Sequence, residues 1–433
     1  MSDARFILLC FRSAVTCRWV TRQMFIALSN ASIALFLLPV SSVVAARDSI
    51  DPGQYILYAG GCISCHTSDT GPDLAGGVPF EMPFGRIYST NITPDVETGI
   101  GGWSNEQFAN AMRKGILPDG GHLYPVFPYT SYTLISDEDI DLLYNYLMSI
   151  PPVRFVPPDN ALRFPFDQRW LIGAWKRLFF DESRFVPATG QSDQWNRGAY
   201  LVEGLGHCGA CHTPRGLLGN EKQQLAMTGA TYRDEVDGKF LDWSATNLTQ
   251  AGSGLKLWSN GQIEEYLKLG FSERAGVFGP MNRVVLNSTS HLHDEDIIAM
   301  AVYLKSLPAL EQNMSVSKPA PDVMRRGEIV YDVHCGICHQ PNGEGAITTG
   351  PPLVGSAVAL APDPASLINI TLYGPQLPHE PVSPQWQARR WEAMESYYDT
   401  LTDSEVAEVL TYIRNAWTNS GSVVTAEQVR RQR

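Results

Sequence analysis

One pattern, Cys-x-x-Cys-His, occurs three times in this chain of 433 residues and uses six of its eight cysteines. The copies are Cys62 to His66, Cys208 to His212 and Cys335 to His339. The other two cysteines, Cys10 and Cys17, lie in a separate N-terminal segment. The fold must therefore serve three equivalent local sites spaced along the chain.

The N-terminal segment, residues 1–45, has the pattern of a secretory signal peptide. Four arginines precede an uncharged, apolar stretch over residues 23–46, and Ala45 and Ala46 are small residues suited to cleavage. We expect export and removal of this segment, although the stretch is also long enough to span a bilayer if it is not cleaved.

Two cysteines three residues apart on a helical turn can each form a thioether to a haem vinyl group, and the following histidine can ligate the iron. A single motif would also fit a zinc half-site or a dithiol pair. Zinc needs further ligands in each copy, and a thioredoxin-like pair needs a βαβ setting. Three copies on an exported chain predict three covalently bound haem c groups. The predicted attachment and proximal residues are Cys62, Cys65, His66, Cys208, Cys211, His212, Cys335, Cys338 and His339.

The sequence around each motif is also repeated. An apolar segment beginning at Gly53, Gly198 or Gly327 precedes each motif, and an acidic start followed by helical apolar spacing comes later in each copy. The pattern predicts a mainly α fold of three tandem cytochrome c domains. Their bounds are expected at residues 46–155, 190–312 and 322–420, with an amphipathic linker at 156–189, a short linker at 313–321 and a polar tail at 421–433.

Methionine is the usual sixth ligand of iron in electron carriers. Met281 and Met394 each precede the last helix of their copy and lie outside its apolar spacing, so we expect them to ligate the second and third haems. Met148 and Met300 fall within helical patterns and are expected to fill the core.

Several long motifs resemble the three-haem cytochrome c subunits of bacterial membrane-bound dehydrogenases. They are residues 88–95, 122–133, 211–216 and 301–308. The resemblance implies a large catalytic subunit that holds PQQ, a flavin or a molybdenum centre and oxidises an alcohol, gluconate, sorbitol or an aldehyde. It also implies electron delivery to ubiquinone at the periplasmic face of the inner membrane. In cytochromes c, Gly-Pro-x-Leu supplies a proline carbonyl that holds the haem histidine, and the copies beginning at Gly71 and Gly350 match this pattern.

The resemblance leaves the sixth ligand of the first haem open. Family members commonly carry methionine where this chain has Phe127, and phenylalanine has no lone pair to offer. Met112, Met82 and His122 are the candidates, with Met112 ranked first, and the alternative is an open iron site.

Composition and the remaining residues limit the alternatives. A formal net charge of -12 argues against nucleic-acid binding, and we find neither a nucleophile–base pattern nor a Gly-rich nucleotide loop. The chain is expected to transfer electrons rather than to catalyse substrate chemistry. A free-standing carrier, an oxidase-associated cytochrome and a multihaem peroxidase remain as rivals. Residues 166–180 predict an amphipathic helix, with Leu171, Trp175 and Phe179 on one face and Lys176 on the other, that either binds a membrane surface or packs between domains.

Overall fold

The computed structural model describes residues 50–236, 238–312, 318–375, 391 and 394–433. The expected signal peptide lies outside these residues. Residues 50–433 form one compact unit, within which we distinguish a first region (50–155), a second (190–312) and a third (318–433).

Helices dominate the described residues. They are α1 Pro52–Ala59, α2 Cys62–His66, α3 Asn105–Lys114, α4 Tyr129–Tyr132, α5 Asp137–Ser149, α6 Trp170–Phe179, α7 Asp193–Ala199, α8 Gly209–His212, α9 Asn260–Leu269, α10 Pro280–Asn287, α11 Asp294–Ser306, α12 Pro321–His334, α13 Gly336–His339, α14 Ala365–Tyr373, α15 Asp403–Asn415 and α16 Ala426–Gln432. The acidic starts open α5, α11 and α15, as expected from the favourable placement of carboxylates at helix N-termini. Ser136 and Thr402 also cap their helices through side-chain oxygens.

The same helix crossing occurs once in each region. Gly53 of α1 lies against the backbone of α5, Gly198 of α7 against α11, and Gly327 of α12 against α15. At each glycine an added Cβ would overlap a carbonyl oxygen of the facing helix, so only glycine permits this close approach. The glycine that begins each predicted repeat therefore sets the spacing of two helices.

Between its glycine and its first cysteine, the second region has one residue more than the first region and two more than the third. Residues Tyr200–Leu205 form a π-helix that continues α7 into the motif. A π-helical turn absorbs an insertion while the flanking helix keeps its direction.

Strands are few and short. β1 (Pro79–Met82), β2 (Gly85–Tyr88) and β3 (Ala161–Leu162) form an antiparallel sheet, and β4 (Ala230–Val236) pairs with β5 (Lys239–Ala245). Because β3 belongs to the expected linker, that linker is tied to the first region by backbone hydrogen bonds.

The first and second regions share one hydrophobic core, which contains Leu57 and Leu143 from the first region and Leu201 and Ile297 from the second. Reciprocal polar contacts join them as well. Tyr55 donates to Asp296 at 2.5 Å, and Tyr200 donates to Asp139 at 2.5 Å.

Each of these hydroxyls also accepts a hydrogen bond from the N-cap backbone of the facing helix, at His293 for Tyr55 and at Ser136 for Tyr200. In the third region Ile329 stands at the corresponding position and is 58% exposed. The surface through which the first two regions pair is thus exposed to solvent at Ile329 in the third region.

The third region has its own core around Tyr331, Ile368 and Leu410. The structure differs here from the expected polar tail. Residues Ala426–Gln432 form α16, whose Val429 is fully buried, while the Gln432 amide donates to the Asp242 carbonyl at 2.7 Å. Val424 and Val429 are both buried in the core of the third region, so apolar residues within the polar stretch dock the helix.

Candidate haem-binding sites

Each motif histidine is the last residue of a short helix and is held in the same way. The Nδ1 atom lies 2.6 Å from the Thr90 carbonyl oxygen in His66, 2.6 Å from that of Thr246 in His212, and 2.8 Å from that of Pro351 in His339. A carbonyl only accepts hydrogen bonds, so Nδ1 carries the proton and Nε2 keeps its lone pair. This tautomer is the one that a metal-ligating histidine requires.

Burial lowers the pKa of all three imidazoles, which favours the neutral form. The motif histidines are thus oriented, neutral and able to bind iron through Nε2. They fit covalently attached haem, whose iron changes oxidation state and supplies one-electron transfer.

The proline carbonyl expected from the Gly-Pro-x-Leu pattern is found in the third region, at Pro351. In the first region the expectation is wrong, because His66 contacts Thr90 and the Pro72 carbonyl instead accepts a hydrogen bond from the Ala75 backbone. The Pro72 carbonyl serves its own turn, and the His66 Nδ1 atom is directed to Thr90 instead.

A Thr-Asn-x-Thr sequence that occurs at residues 90–93 and again at 246–249 explains why a threonine carbonyl takes the place of the proline carbonyl. The side-chain oxygen of Asn91 accepts from the Thr93 backbone at 2.9 Å, and its amide donates to the Val153 carbonyl at 2.8 Å. The duplicated Asn247 makes the same contacts with Thr249 and Leu310, each at 2.8 Å. Both turns present the threonine carbonyl to the histidine of their region.

None of the six described cysteines forms a disulfide, so each sulfur is available for a thioether bond. Burial is the largest cause that raises the pKa of the free thiol at Cys62, Cys208 and Cys335, each to about 12. Dithiol redox pairs need the opposite shift, which exposes a reactive thiolate. The arrangement therefore disfavours the dithiol alternative.

Met281 is the second residue of α10 and packs partly buried beside Phe271 and Val285. Near it, the Trp243, Arg274 and Trp391 side chains each have a buried nitrogen without a hydrogen-bond partner among the described residues. Buried donors of this kind suit the carboxylates of a haem. Met394 lies partly buried before α15.

The first-region candidates lie in different surroundings. Met112 is buried in the core that also packs against Cys62, whereas Met82 ends β1 and is half-buried. His122 lies against α6, with its Nδ1 3.2 Å from Lys176 Nζ and its Nε2 close to Gly173.

Lys176 itself was expected on an outer, basic face. It is buried instead and donates to the Gly115 carbonyl at 2.8 Å, where α3 ends. The carbonyls at a helix C-terminus compensate a buried ammonium group. Trp170 and Leu178 of the same helix are 69% and 71% exposed.

The sequence did not predict how close the first two motifs lie. The His207 ring packs edge-on against Tyr132, whose hydroxyl donates to the Gly60 carbonyl at 2.7 Å. Ser64, between the first two motif cysteines, donates to the Arg283 carbonyl at 3.2 Å. His291 and His293 are exposed to solvent on one side and stack on the rings of Tyr58 and Tyr55 of α1 on the other. The two tyrosines of α1 are the sequence signal for these ring contacts.

Oriented histidines beside paired cysteines define a c-type cytochrome. The cytochrome c family model matches residues 50–151 and 324–417. The chain is 37% identical to the gluconate 2-dehydrogenase cytochrome c subunit of Pantoea cypripedii, over 92% of this chain and 93% of that protein. It is 36% identical to the cytochrome c subunit of alcohol dehydrogenase (quinone) of Gluconobacter oxydans, over 92% and 86%.

A third relative, a nicotinate dehydrogenase subunit of Pseudomonas putida, is 40% identical over 88% of this chain, which spans 32% of that protein's length. The chain belongs to the family of dehydrogenase cytochrome c subunits. It carries covalently bound haem and transfers electrons from a dehydrogenase.

Proposed function

We propose that this chain carries three haem c groups and passes electrons from a catalytic dehydrogenase subunit, of PQQ, flavin or molybdenum type, to ubiquinone. The observation that supports the count best is the threefold recurrence of one arrangement. Each region has the glycine-mediated helix crossing, the paired cysteines and a histidine whose Nδ1 meets a carbonyl.

Haem content tests the count directly. Intact-protein mass should rise by three haem masses, and haem absorbance per chain should agree. Replacing both Cys335 and Cys338 by alanine should lower the content by one. Two haems in the unaltered protein, or haem that acidic solvent extracts, would contradict the proposal.

The proposed domains are residues 46–155, 190–312 and 322–420, and the proposed sixth ligands are Met281 and Met394. The family match over residues 50–151 and 324–417 supports the outer two domains. The buried donors around Met281 support a haem in the middle one.

The quinone acceptor rests on the names of relatives such as alcohol dehydrogenase (quinone). The proposed location is the periplasmic face of the inner membrane, after removal of residues 1–45. No helix among the described residues is long and apolar enough to cross a bilayer. The exposed side chains of Phe164, Trp170 and Leu178 support contact with a membrane surface instead.

Co-purification distinguishes this proposal from a free-standing carrier. From detergent-solubilised membranes, the tagged chain should bring down a large dehydrogenase in stoichiometric amount. Recovery of the cytochrome alone would favour the carrier.

A further inference from the structure

One wall of the candidate haem site of the second region comes from the third region. The Trp391 indole lies against Phe271, with ring centroids 4.4 Å apart and planes inclined by 59°. One of its ring carbons is 3.6 Å from the position that a Cβ on Gly276 would occupy. Trp391 and Met281 both pack against the small apolar cluster that contains Phe271. The third region therefore borders the pocket of the proposed sixth ligand of the second haem.

Three nitrogen atoms around this pocket are buried and have no hydrogen-bond partner among the described residues. They are Nε1 of Trp243, Nε of Arg274 and Nε1 of Trp391. The Trp243 ring lies against Gly279 at the start of α10, and Arg274 belongs to the same loop as Gly276. A buried donor without an acceptor costs free energy, and native proteins seldom leave one. Three such donors indicate that the pocket binds a group with several acceptor oxygens.

The carboxylates of a haem are such acceptors, because an ionised carboxylate accepts hydrogen bonds and donates none. The haem proposed for the second region lies between its two ligands, His212 and Met281. Strand β5, which carries Trp243, leads directly into Thr246, whose carbonyl holds His212. The proposed haem and the three donors thus share one pocket.

Trp391 also belongs to the segment that supplies the proposed ligand of the third haem. Met394 follows it by three residues. The Met394 carbonyl oxygen lies 3.0 Å from the position of a Cβ on Gly374, at the end of α14. Three residues of backbone span at most about 11 Å. One short stretch of chain therefore joins the pocket of the second haem to the ligand of the third.

We propose that Trp391 is a positioning residue shared by two haems: its indole N–H donates to a carboxylate of the second haem, and its backbone fixes the Met394 segment beside the third. This inference rests on the proposed count of three haems and on Met281 and Met394 as ligands. A donated hydrogen bond offsets the carboxylate charge near the iron, and hydrogen bonding of this kind tunes reduction potentials. The third region thus helps to keep the potential of the second haem high.

Trp391→Phe tests the hydrogen bond, because phenylalanine keeps an aromatic ring against Phe271 but removes the N–H. In a spectroscopic redox titration of the full holoprotein, one of the three haem components should shift to a lower potential. The carboxylate stretching band in redox-difference infrared spectra should shift with it. Met281→Ala identifies the component, since loss of the thioether lowers the potential of the second haem. If Trp391→Phe does not move the component that Met281→Ala lowers, the assignment is overturned.

Trp195→Phe is the matched control. The Trp195 indole belongs to the second region but donates to the Ser306 hydroxyl at 2.6 Å, so its replacement should leave all three potentials unchanged. Trp391→Tyr should recover part of the shift, because its hydroxyl is also a donor. An equal shift in Trp195→Phe would reveal a general effect on the fold and would contradict the assigned role.

The two proposals fail in different ways. Two haems in the unaltered protein would refute the count of three and the shared position of Trp391 together. Three haems, with the potentials and the carboxylate band unmoved in Trp391→Phe, would refute the role of Trp391 alone.

Discussion

At the scale of single residues, one carboxylate joins the first and second regions. Asp296 accepts two hydrogen bonds from Arg197, at 2.8 and 2.6 Å, and a third from Tyr55. Burial alone would raise the pKa of Asp296, but the bonds from Arg197 and Tyr55 outweigh it and hold that pKa below its ordinary value. The ionised form is thus the stabilising one.

Asp296→Asn should lower the free energy of unfolding at neutral pH by about 1–3 kcal/mol, since charged hydrogen bonds are lost inside the interface. A depressed carboxyl pKa gives stability above the unfolded value, near 4, that disappears as pH falls through the folded value. Denaturant titrations should therefore show that the difference in unfolding free energy between the unaltered protein and Asp296→Asn disappears in acid.

Asp242→Asn is the matched control, because its pair with Arg233 is well exposed and should contribute under about 1 kcal/mol. Equal losses in the two variants, or a gap that persists in acid, would contradict the interpretation.

The sixth ligand of the first haem is a second question at this scale. Met112 is the proposed ligand, so Met112→Ala should open the iron and allow carbon monoxide to bind the reduced protein. Met82→Ala and His122→Ala should leave the site closed. Carbon monoxide binding by the unaltered first haem would show instead that the site is open from the start.

At the scale of elements, each region depends on one close helix crossing. Gly53→Ala, Gly198→Ala and Gly327→Ala should each destabilise the protein by roughly 1–3 kcal/mol or more, because the methyl group would overlap a facing carbonyl. Thermal unfolding monitored by circular dichroism measures this.

Gly261→Ala should change the stability in the opposite direction. This glycine lies in α9 with no atom near its absent Cβ, so alanine should stabilise the helix by about 0.5–1 kcal/mol. If the three crossing variants behave like Gly261→Ala, the crossings are looser than described.

At the scale of the whole molecule, the large apolar side chains that the described residues expose include two groups. One includes Phe164 and Trp170 near α6, and the other includes Ile329, Val333 and Ile337 along α12 and α13. Aromatic rings favour the interface between water and lipid. Phe164→Ser with Trp170→Ser should weaken binding of the holoprotein to phospholipid vesicles in a flotation assay.

Ile329→Ser with Val333→Ser removes two exposed apolar side chains from the third region and should leave flotation unchanged. Equal loss with both pairs would indicate general stickiness rather than an oriented membrane surface.

What the sequence predicted well was local. The motif helices and the acidic starts of α5, α11 and α15 depend on neighbouring residues, and they were found where expected. The Thr90 carbonyl that holds His66 belongs to a turn well removed in sequence. The buried Lys176 donates to a carbonyl at the C-terminal end of α3. Such contacts join distant residues, and neither periodicity nor composition carries information about them.

The reciprocal bonds of Tyr55 and Tyr200 have a consequence for how the chain grew. A surface that binds its own copy forms a closed dimer. Two duplicated units that pair in this way therefore leave no copy of that surface unoccupied. A third unit cannot join through the same surface. In the third region Ile329 stands in place of the tyrosine, so this region lacks the hydroxyl that the pairing uses. The protein is thus a tethered dimer plus one appended monomer, rather than three equal links in a row.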